Sequence, residues 1–186
     1  MGVVFLARLS DGTLLAWGRN TTGQLGDGTT TQRITPVPVQ GLGVTLGMSA
    51  GGTHSLALGV RAWGSNTFGQ IGDGTTTQRT APISVTLPAA ASAVSAGDWH
   101  SLALLQDGTV RAWGRNTNGQ LGDGGTTQSL TPVTVAGISG VAQVAAGSQH
   151  SLARLSDGTL RAWGYNYQGQ LGNGERGYEM LPVAIP

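Results

Sequence analysis

The sequence predicts an all-β fold, a β-propeller of four blades with about four antiparallel strands in each blade. A Trp-Gly pair recurs at intervals of roughly 50 residues, which is the period of propeller blades, and four copies fill the 186 residues. Asp-Gly pairs separate short runs of alternating apolar and polar residues, the pattern of a β-hairpin. Glycine supplies 32 residues and only 10% of residues are charged, a composition that disfavours long helices.

The repeat divides a single domain, residues 1–186, into units of approximately 1–46, 47–92, 93–142 and 143–186. The tryptophans that mark the units, and that we expect in the core, are Trp17, Trp63, Trp113 and Trp163. The first three units are near copies of one another. The fourth departs from them after Gly172, as terminal repeats commonly do.

Each unit is expected to open with a strand and a hairpin. Three units carry Ala-Gly-x-x-His-Ser-Leu-Ala before the hairpin, at residues 50–57, 96–103 and 146–153. The hairpin turns of three units are Asp11-Gly12, Asp107-Gly108 and Asp157-Gly158. Asp-Gly favours a type I′ turn, because both central residues of that turn need positive φ. The hairpin of the second unit is shorter by an even number of residues. Its side chains therefore point to the same faces of the sheet as those of the other units.

The second half of each unit combines a glycine-rich loop with a further strand. Asn follows Trp-Gly and precedes Gly-Gln-Leu/Ile-Gly-Asp/Asn-Gly, residues that tolerate left-handed backbone and tight turns. The prolines that then open a short β-branched run are Pro36, Pro82, Pro132 and Pro182. Proline is tolerated at the first position of a strand. Three or four short strands per unit, without helical periodicity, are typical of a propeller blade.

Charge and cysteine content exclude several classes of function. Ten basic residues against nine acidic ones leave a formal charge of +1, so we expect no nucleic-acid or membrane partner. The chain has no Cys, which excludes a disulfide framework, a zinc knuckle and a thiol nucleophile. The apolar run of residues 3–7 is too short for a signal peptide or a membrane span. We expect no cofactor, and the compartment stays open.

Three motifs occur in a fixed order: Ala-Gly-x-x-His-Ser-Leu-Ala, then Asp-Gly-x-Val/Leu-x-Ala-Trp-Gly, then Asn-x-x-Gly-Gln-Leu-Gly-Asp-Gly. Together they closely resemble the repeat of the regulator of chromosome condensation family, and the resemblance covers the whole chain. It implies blades of four antiparallel strands in a ring that usually has seven blades. The chain has four units. The first lacks its opening Ala-Gly-x-x-His-Ser, where Gly2, Val3, Val4 and Phe5 stand.

A half-ring exposes a blade face at each end and an unpaired strand edge, so we expect a partner to cover them. We expect two copies to meet about a two-fold axis as a homodimer with one eight-bladed ring. The residues predicted for this self-association are Val4, Phe5, Leu15, Val183 and Ile185. The strand of residues 182–185 is expected to complete the first blade of the other copy. A closed four-bladed ring and a fragment of a longer chain are the alternatives, and near-identical units also fit an engineered or recently duplicated origin.

The repeated polar residues are expected to have structural roles. The histidines that precede Ser are His54, His100 and His150. Neighbours on a strand point to opposite faces, and a catalytic His-Ser pair would occur only once. A metal site built from the three histidines is the alternative. The loop aspartates, which lack the acidic spacing of a calcium loop and are interpreted as turn residues, are Asp27, Asp73 and Asp123. We expect no catalytic, cofactor or metal residues and no enzyme activity.

Binding residues are expected where the units differ, because packing fixes the frame and loops reach the faces of the ring. The variable places are the pair before each His and the loop after Trp-Gly. The predicted partner-binding loop face consists of Asp98, Trp99, Thr53, Gln149, Phe68, Tyr165 and Tyr167. Trp99 is the one tryptophan outside the Trp-Gly frame, and an aromatic beside a carboxylate is typical of a binding anchor. The alternative is that Trp99 or Phe68 packs on a neighbouring blade.

Three functions are considered for such a chain. The first is a non-catalytic structural or protein-binding scaffold whose protein partner is unknown. The second is the guanine-nucleotide exchange and chromatin binding that the resemblance implies, which is disfavoured by the lack of a basic tail, of an inserted wing and of half the blades. The third is a secreted inhibitor similar to the β-lactamase inhibitor proteins that share this propeller, with Asp98 and Trp99 as its anchors.

Overall fold

The computed structural model describes residues 3–186, and the regular elements in that range are all β-strands. Their bounds are β1 Val4–Arg8, β2 Leu14–Gly18, β3 Arg33–Pro38, β4 Met48–Ala50, β5 His54–Ala57, β6 Arg61–Gly64, β7 Arg79–Ser84, β8 Ala91–Ala96, β9 His100–Leu105, β10 Val110–Gly114, β11 Ser129–Thr134, β12 Val141–Ala146, β13 His150–Leu155, β14 Leu160–Tyr165 and β15 Tyr178–Ile185. No helix within this range is long and apolar enough to cross a membrane. The all-β prediction is confirmed.

The strands form four antiparallel sheets, one for each unit. The second, third and fourth sheets have four strands each, in the orders β4-β5-β6-β7, β8-β9-β10-β11 and β12-β13-β14-β15. The first sheet has three, β1-β2-β3. Phe5 pairs with Trp17 as Ser55 pairs with Trp63, so β1 and β2 correspond to β5 and β6. Within the described residues, the first blade therefore lacks the strand that opens the other three.

The blades are arranged as an open arc. The opening strands β4, β8 and β12 contact one another from blade to blade, whereas the closing strands do not, so the opening strands line the inner side of the arc. In residues 3–186, no comparable packing joins a strand of the fourth blade to a strand of the first. The closed four-bladed ring considered above is therefore wrong for this chain.

Two details of the predicted layout differ in the structure. The unit limits at residues 92 and 142 fall inside strands, because β8 begins at Ala91 and β12 at Val141. The C-terminal strand β15 pairs with β14 of its own blade, with Val183 opposite Ala162 and Ile185 opposite Leu160. The prediction that residues 182–185 complete the first blade of another copy is therefore wrong. That strand closes the outer side of a blade, whereas the first blade lacks an inner strand.

The Asp-Gly hairpins are present, but their turns are not type I′. In the first blade, the Gly12 N–H donates to Leu9 O (3.0 Å) and the Leu9 N–H donates to Thr13 O (2.9 Å). Gly12 has a φ of 85°, whereas Asp11 is not among the residues with positive φ. The Asp11 carboxylate instead accepts the Thr13 N–H at 2.8 Å. This is a three-residue hairpin loop with glycine in the left-handed region.

Alternate residues of each strand face opposite neighbouring blades, and the core lies in the joints between blades. Trp163 packs with Leu102 of the preceding blade in one buried cluster. A glycine makes room for it, because a Cβ at Gly122 would lie 2.7 Å from Trp163 Nε1. Three of the four frame tryptophans are fully buried in this way. Trp17 is only half-buried, because no blade precedes it within the described residues.

Candidate functional site

The two predicted variable places meet on one face of the arc, in pairs from neighbouring blades. Thr22 Oγ1 donates to Thr53 O at 3.2 Å, and Asn118 Nδ2 donates to Gln149 Oε1 at 2.8 Å. At the joint between the second and third blades, the corresponding pair is two aromatic rings. The loop after Trp-Gly in one blade thus faces the loop before the buried His position in the next. We call this surface the loop face.

Trp99 is the centre of an aromatic cluster on the loop face. Its ring lies 6.3 Å from that of Phe68, edge to face at 69°. The Arg115 guanidinium carbon lies 4.9 Å from the Trp99 ring centroid and 5.3 Å from the Phe68 centroid. Both aromatic residues are half-buried. Trp99 therefore packs on a neighbouring blade and still presents part of its ring to solvent. Phe68, Trp99 and Arg115 are called the Trp99 cluster below.

The side chain of Asp98 is held beside this cluster. Ser148 Oγ donates to Asp98 Oδ2 at 2.5 Å, and Thr53 Oγ1 donates to the main-chain oxygen of Asp98 at 2.9 Å. These contacts come from the two blades that flank Asp98. A carboxylate held in this way is a preorganised hydrogen-bond acceptor, because little conformational freedom remains to be lost on binding.

Tyr165 and Tyr167 form a second aromatic site, on the fourth blade. Their ring centroids are 5.4 Å apart at 40°, and Tyr167 is 55% exposed. A cavity of about 480 Å³ beside them is bordered by Gln149, His150 and Gln168. Among residues 3–186, no ring contact joins the two tyrosines to the Trp99 cluster. The predicted binding residues therefore form two separate aromatic sites.

The His-Ser repeat forms hydrogen bonds between blades. His54 Nε2 lies 2.8 Å from Ser101 Oγ, and His100 Nε2 lies 2.9 Å from Ser151 Oγ. Ser101 Oγ in turn donates to Gln70 O at 2.8 Å. Because the hydroxyl hydrogen is used there, Nε2 of His54 must be the donor to Ser101. As predicted, these His and Ser side chains bond between blades and not within one strand.

The imidazoles that take part are neutral. Burial lowers the pKa of His54 to about 3. Burial also lowers the pKa of His100 to about 3, and the repulsion that protonated His54 and His150 would exert lowers it further. The Nδ1 atoms of His54 and His100 are buried without a hydrogen-bond partner among the described residues. In residues 3–186, no three His, Asp or Glu side chains are grouped in a way that could hold a metal ion.

The loop aspartates stabilise the glycine-rich loops, as predicted for turn residues. Asn66 Nδ2 donates to Asp73 Oδ1 at 3.1 Å, and Asn66 Oδ1 accepts the Ile71 N–H at 3.0 Å. Asp73 also pairs with Arg79 at 2.5 Å. Burial alone would raise the pKa of Asp73, but the hydrogen bonds from Arg79 and Thr75 outweigh it and lower this pKa.

The predicted self-association residues lie on three different surfaces. Phe5 is 49% exposed and stacks on Trp17, with centroids 5.4 Å apart and planes at 12°. Leu15 lies on the same face as Trp17, because the two are separated by one residue along β2. Val183 and Ile185 share the outward face of the fourth blade with their strand partners. Val4 is different, because it is buried in the cluster between the first and second blades, and it does not belong to a free surface.

The fourth blade presents a joint surface with no blade packed on it. A Cβ at Gly119 would lie 2.7 Å from Met180 Cα of the next blade, whereas nothing lies within 4 Å of such an atom at Gly169. In the three joints, the loop N–H groups of Gly28, Gly74 and Gly124 donate to the closing strand of the next blade. Leu160 is 43% exposed, although its counterpart Val110 is fully buried.

Family models identify the repeat. The model described as the regulator of chromosome condensation (RCC1) repeat matches residues 11–58, 60–104 and 107–154. A second model with the same description matches residues 91–120 and 141–170. No curated protein sequence matches the chain.

Solved structures are similar over almost the whole chain. Yeast RCC1 (Prp20) bound to Kap60 has 26% identity and a TM-score of 0.86, covering 99% of this chain and 47% of that one. Prp20p of Saccharomyces cerevisiae, described with its binding properties to Gsp1p and histones, has 25% identity and a TM-score of 0.85, covering 99% and 48%. Human WBSCR16 shares the fold, with 24% identity and a TM-score of 0.86, and the match covers 99% of this chain and 50% of that one. The chain thus spans about half the length of these structures.

Proposed function

The chain belongs to the family of regulator of chromosome condensation (RCC1) repeats, and from this premise we propose that it is a non-catalytic β-propeller scaffold. It binds a partner protein through the loop face, and two copies pair end to end to close one eight-bladed ring. The fold gives only the class of activity. The proposal therefore depends on the surfaces that this chain presents.

The observation that carries the proposal is a contrast between a uniform frame and a variable face. In all three joints, a tryptophan Nε1 donates at 2.9 Å to the main-chain oxygen of a glutamine in the preceding blade. On the loop face, by contrast, the same three joints carry a threonine pair, an aromatic pair and an Asn-Gln pair. A scaffold with constant packing and blade-specific loops is suited to recognition of a protein surface.

The Trp99 cluster is the proposed anchor for the partner. Tryptophan and arginine are the side chains most often found at the energetic centre of protein interfaces. Arg115 stacks on both rings and donates from Nε to Thr117 Oγ1 at 2.9 Å, so the cluster loses little side-chain entropy on binding. Asp98 adds a fixed acceptor at its edge. The description of Prp20p with Gsp1p and histones supports a protein as the class of partner.

The absence of catalysis is part of the proposal. The repeated polar side chains that resemble catalytic groups already have partners in the frame: His54 bonds Ser101, and Asp73 bonds Asn66 and Arg79. A neutral buried imidazole with a pKa of about 3 is a poor general base near pH 7. These contacts support a structural role for the residue types from which an active site would be built.

Self-association is supported by the two free ends of the arc. The first blade exposes Phe5 and Ile34, at 49% and 90%, on the side where the other blades receive a preceding blade. The fourth blade exposes Leu160, and nothing lies within 4 Å of Gly169. In a joint between copies, Trp17 Nε1 of one copy would donate to Gln170 O of the other, as Trp163 donates to Gln120 O. Burial of the exposed apolar area favours this pairing.

One alternative uses the same loop face. A protein inhibitor similar to the β-lactamase inhibitor proteins would insert Trp99 and Asp98 into the cleft of an enzyme, and the exposed part of the Trp99 ring favours this as the second candidate.

Light scattering over a concentration series tests the assembly. We expect a mass of twice 18.9 kDa that returns to 18.9 kDa in the Leu160→Glu variant and is retained in Leu46→Glu, which alters an exposed leucine of a loop. A constant mass of 18.9 kDa at about 100 μM, well above the dissociation constant of a stable dimer, rejects self-association.

Affinity capture on the immobilised chain tests the loop face. We expect a specific partner whose affinity falls about 30-fold or more in Trp99→Ala, as for an interface hot spot. Leu46→Ala serves as the control, because this exposed apolar residue lies beside the Asp-Gly hairpin turn of the first blade and not on the loop face. A partner that binds Trp99→Ala and the wild type equally well rejects the loop face as the binding surface.

A further inference from the structure

The first blade has an open strand edge on the inner side of the arc. In the other blades, β5, β9 and β13 each pair with an opening strand on one side and with the next strand on the other. β1 holds the same position, but among residues 3–186 it pairs only with β2. An edge with unpaired N–H and C=O groups is where an extended peptide adds to a sheet.

We propose that this edge binds an extended peptide strand of small residues, with the pattern Val-Ser-Ala-Gly, supplied by a partner protein. The pattern is that of the strand in the same position elsewhere, since β8 ends in Val-Ser-Ala followed by Gly97 and β12 ends in Val-Ala-Ala followed by Gly147. Ala96 pairs with Ser101 and Ala146 pairs with Ser151. The same register places the alanine of the incoming strand opposite Phe5.

A second observation specifies the serine of this strand. The Ala96 N–H donates to Ser49 Oγ at 3.0 Å, and the Ala146 N–H donates to Ser95 Oγ at 2.9 Å. In both joints the hydroxyl comes from the opening strand of the preceding blade. Ala50 is the counterpart of Ala96, it is exposed, and the first blade has no opening strand in the described residues. A serine in the incoming strand would supply the acceptor for the Ala50 N–H.

The space beside the edge fits the end of such a strand. A cavity of about 380 Å³ is bordered by Val3, Val4, Gly51 and Gly52, where the antiparallel register places the final Ala-Gly. β4 of the second blade packs against β1 beside this cavity, so the incoming strand would lie next to β4 as β8 lies next to β12. The cavity also reaches Trp99, so a partner segment that leaves the strand would continue directly onto the loop face.

Among residues 3–186, the opening and closing strands are already paired in their own blades, so the proposed occupant is a strand of a partner protein. A second copy has the same strands in use. The inference rests on the proposed function only in taking the ligand to be a protein segment. It does not need the ring of two copies.

The test uses the full chain and a fluorescently labelled peptide with the sequence of residues 90–98, Ala-Ala-Ser-Ala-Val-Ser-Ala-Gly-Asp. We expect saturable binding by fluorescence anisotropy. Hydrogen exchange of the complex should show new protection at residues 4–8 and at Ala50 and no new protection at β15. Replacing the serine that precedes Ala-Gly with alanine should weaken binding about five-fold, the effect of one hydrogen bond. N-methylation of alternate peptide amides should abolish binding, because it removes the ladder donors.

Two outcomes overturn the inference: no saturable binding, or binding that N-methylation leaves unchanged and that protects residues outside the first blade. The mass of the chain is measured in the same samples by light scattering. Peptide binding by a chain of 18.9 kDa supports the strand site while rejecting the ring of two copies. A dimer that does not bind the peptide rejects the strand site alone.

Discussion

His54 Nε2 lies 2.8 Å from the hydroxyl oxygen of Ser101, and the two residues belong to neighbouring blades. The Ser101 hydroxyl donates a hydrogen bond to Gln70 O. The same main-chain oxygen accepts a hydrogen bond from Trp113 Nε1 at 2.9 Å. One carbonyl thus receives two donors from the next blade, and one of these donors accepts a hydrogen bond back from His54. Buried hydrogen bonds thus link the two blades through His54, Ser101 and Gln70.

The first prediction concerns this serine. Ser101→Ala leaves the buried Nε2–H of His54 without an acceptor, so we expect the free energy of unfolding to fall by about 1–3 kcal/mol, the penalty of an unsatisfied buried donor. Urea denaturation monitored by tryptophan fluorescence measures the change. Ser10→Ala, at an exposed position in a hairpin loop, is the matched control and should change the midpoint little. Equal effects of the two variants would contradict the role assigned to Ser101.

The second prediction is a loss of stability in mild acid. The pKa of His54 and of His100 is about 3 in the folded chain, below the ordinary value of 6.5. The unfolded chain therefore binds protons more readily than the folded chain does. This contribution to stability is complete above pH 6.5 and is lost as the pH falls from 6.5 towards 3, by about 1.4 kcal/mol per pH unit for each histidine.

The window between pH 6.5 and 4.5 separates the histidines from the loop carboxylates, because the pKa of Asp27 and of Asp73 is lowered from 3.8. His150 contributes to the same loss, because burial lowers its pKa as well. Urea midpoints at several pH values measure the slope. The double variant His54→Gln/His100→Gln keeps a side-chain N–H donor at each position but removes two of the three histidine titrations. Its profile should therefore be clearly shallower in this window, and the slope that remains is due to His150. An equally steep profile in the double variant would show that other groups cause the loss.

The fold was largely predictable because its signals are local and repeated. Trp-Gly and Asp-Gly recur at blade period, so the number of units and the hairpins follow from the sequence. The turn type was missed, because Asp11 works through its carboxylate and not through left-handed backbone. The position of β15 was missed for a different reason. A repeat shows which residues are equivalent but not which of its strands is innermost, and this decides what the first blade lacks.

The third prediction compares two frame tryptophans. Trp113→Phe removes the Nε1–H that donates to Gln70 O and leaves a void in a fully buried site, so we expect destabilisation by about 2–3 kcal/mol. Trp17→Phe is the matched control. Trp17 is half-buried under Phe5 with no blade in front of it, and its replacement should cost less than about 1 kcal/mol. Thermal unfolding of both variants measures the difference.

Trp17 also reports on assembly. If a second copy packs against the first blade, the cost of Trp17→Phe should rise towards that of Trp113→Phe at high protein concentration. Equal costs at low concentration would contradict an open first blade.

The fourth prediction separates two aspartates of the glycine-rich loops. Asp73 accepts from Asn66 and pairs with Arg79, whereas Asp123 accepts from Asn116 and has Ser129 in place of the arginine. Asp73→Asn should therefore lower the free energy of unfolding by about 1 kcal/mol, the effect of a partly exposed charged pair with its hydrogen bonds.

Asp123→Asn is the matched control, and it should be close to neutral, because the fourth unit has Asn173 at this position in the same contact with Asn166. Chemical denaturation at neutral pH measures both. The loss from Asp73→Asn should shrink in 1 M salt, and a loss independent of salt would show that the ion pair contributes little.

The candidate site was predictable only in part. Variation between the units predicted Trp99 and Phe68 as binding residues, and the joint between two blades brings their rings together. Arg115 was missed, because an arginine also follows Trp-Gly in the first unit and so resembles part of the frame. Its contact with Trp99 depends on two loops from different positions of the repeat. The pairing of such loops follows from the order of the blades in space, which no single unit encodes.

The fifth prediction uses two glycines with the same backbone conformation. Gly119 and Gly169 both have a φ of 75°, but a Cβ at Gly119 would lie 2.7 Å from Met180 Cα, and nothing lies within 4 Å at Gly169. Replacement by alanine costs about 1 kcal/mol at either position for the left-handed backbone. Gly119→Ala also forces two blades apart, so we expect a total loss of about 2–4 kcal/mol there. Urea denaturation at low protein concentration measures the difference.

The same pair distinguishes a free fourth blade from a covered one. If a second copy packs on it, Ile34 of that copy occupies the place that Met180 holds at Gly119, and Gly169→Ala should weaken the dimer by tenfold or more, about 1.4 kcal/mol, while leaving the fold of the monomer unchanged. Gly169→Ala that retains the wild-type mass at every concentration would contradict this joint. Nothing lies within 4 Å of a Cβ at Gly174 either. Its counterpart Gly124 donates its N–H to Met180 O at 3.0 Å in a close joint between blades, so Gly174→Ala should also weaken the dimer.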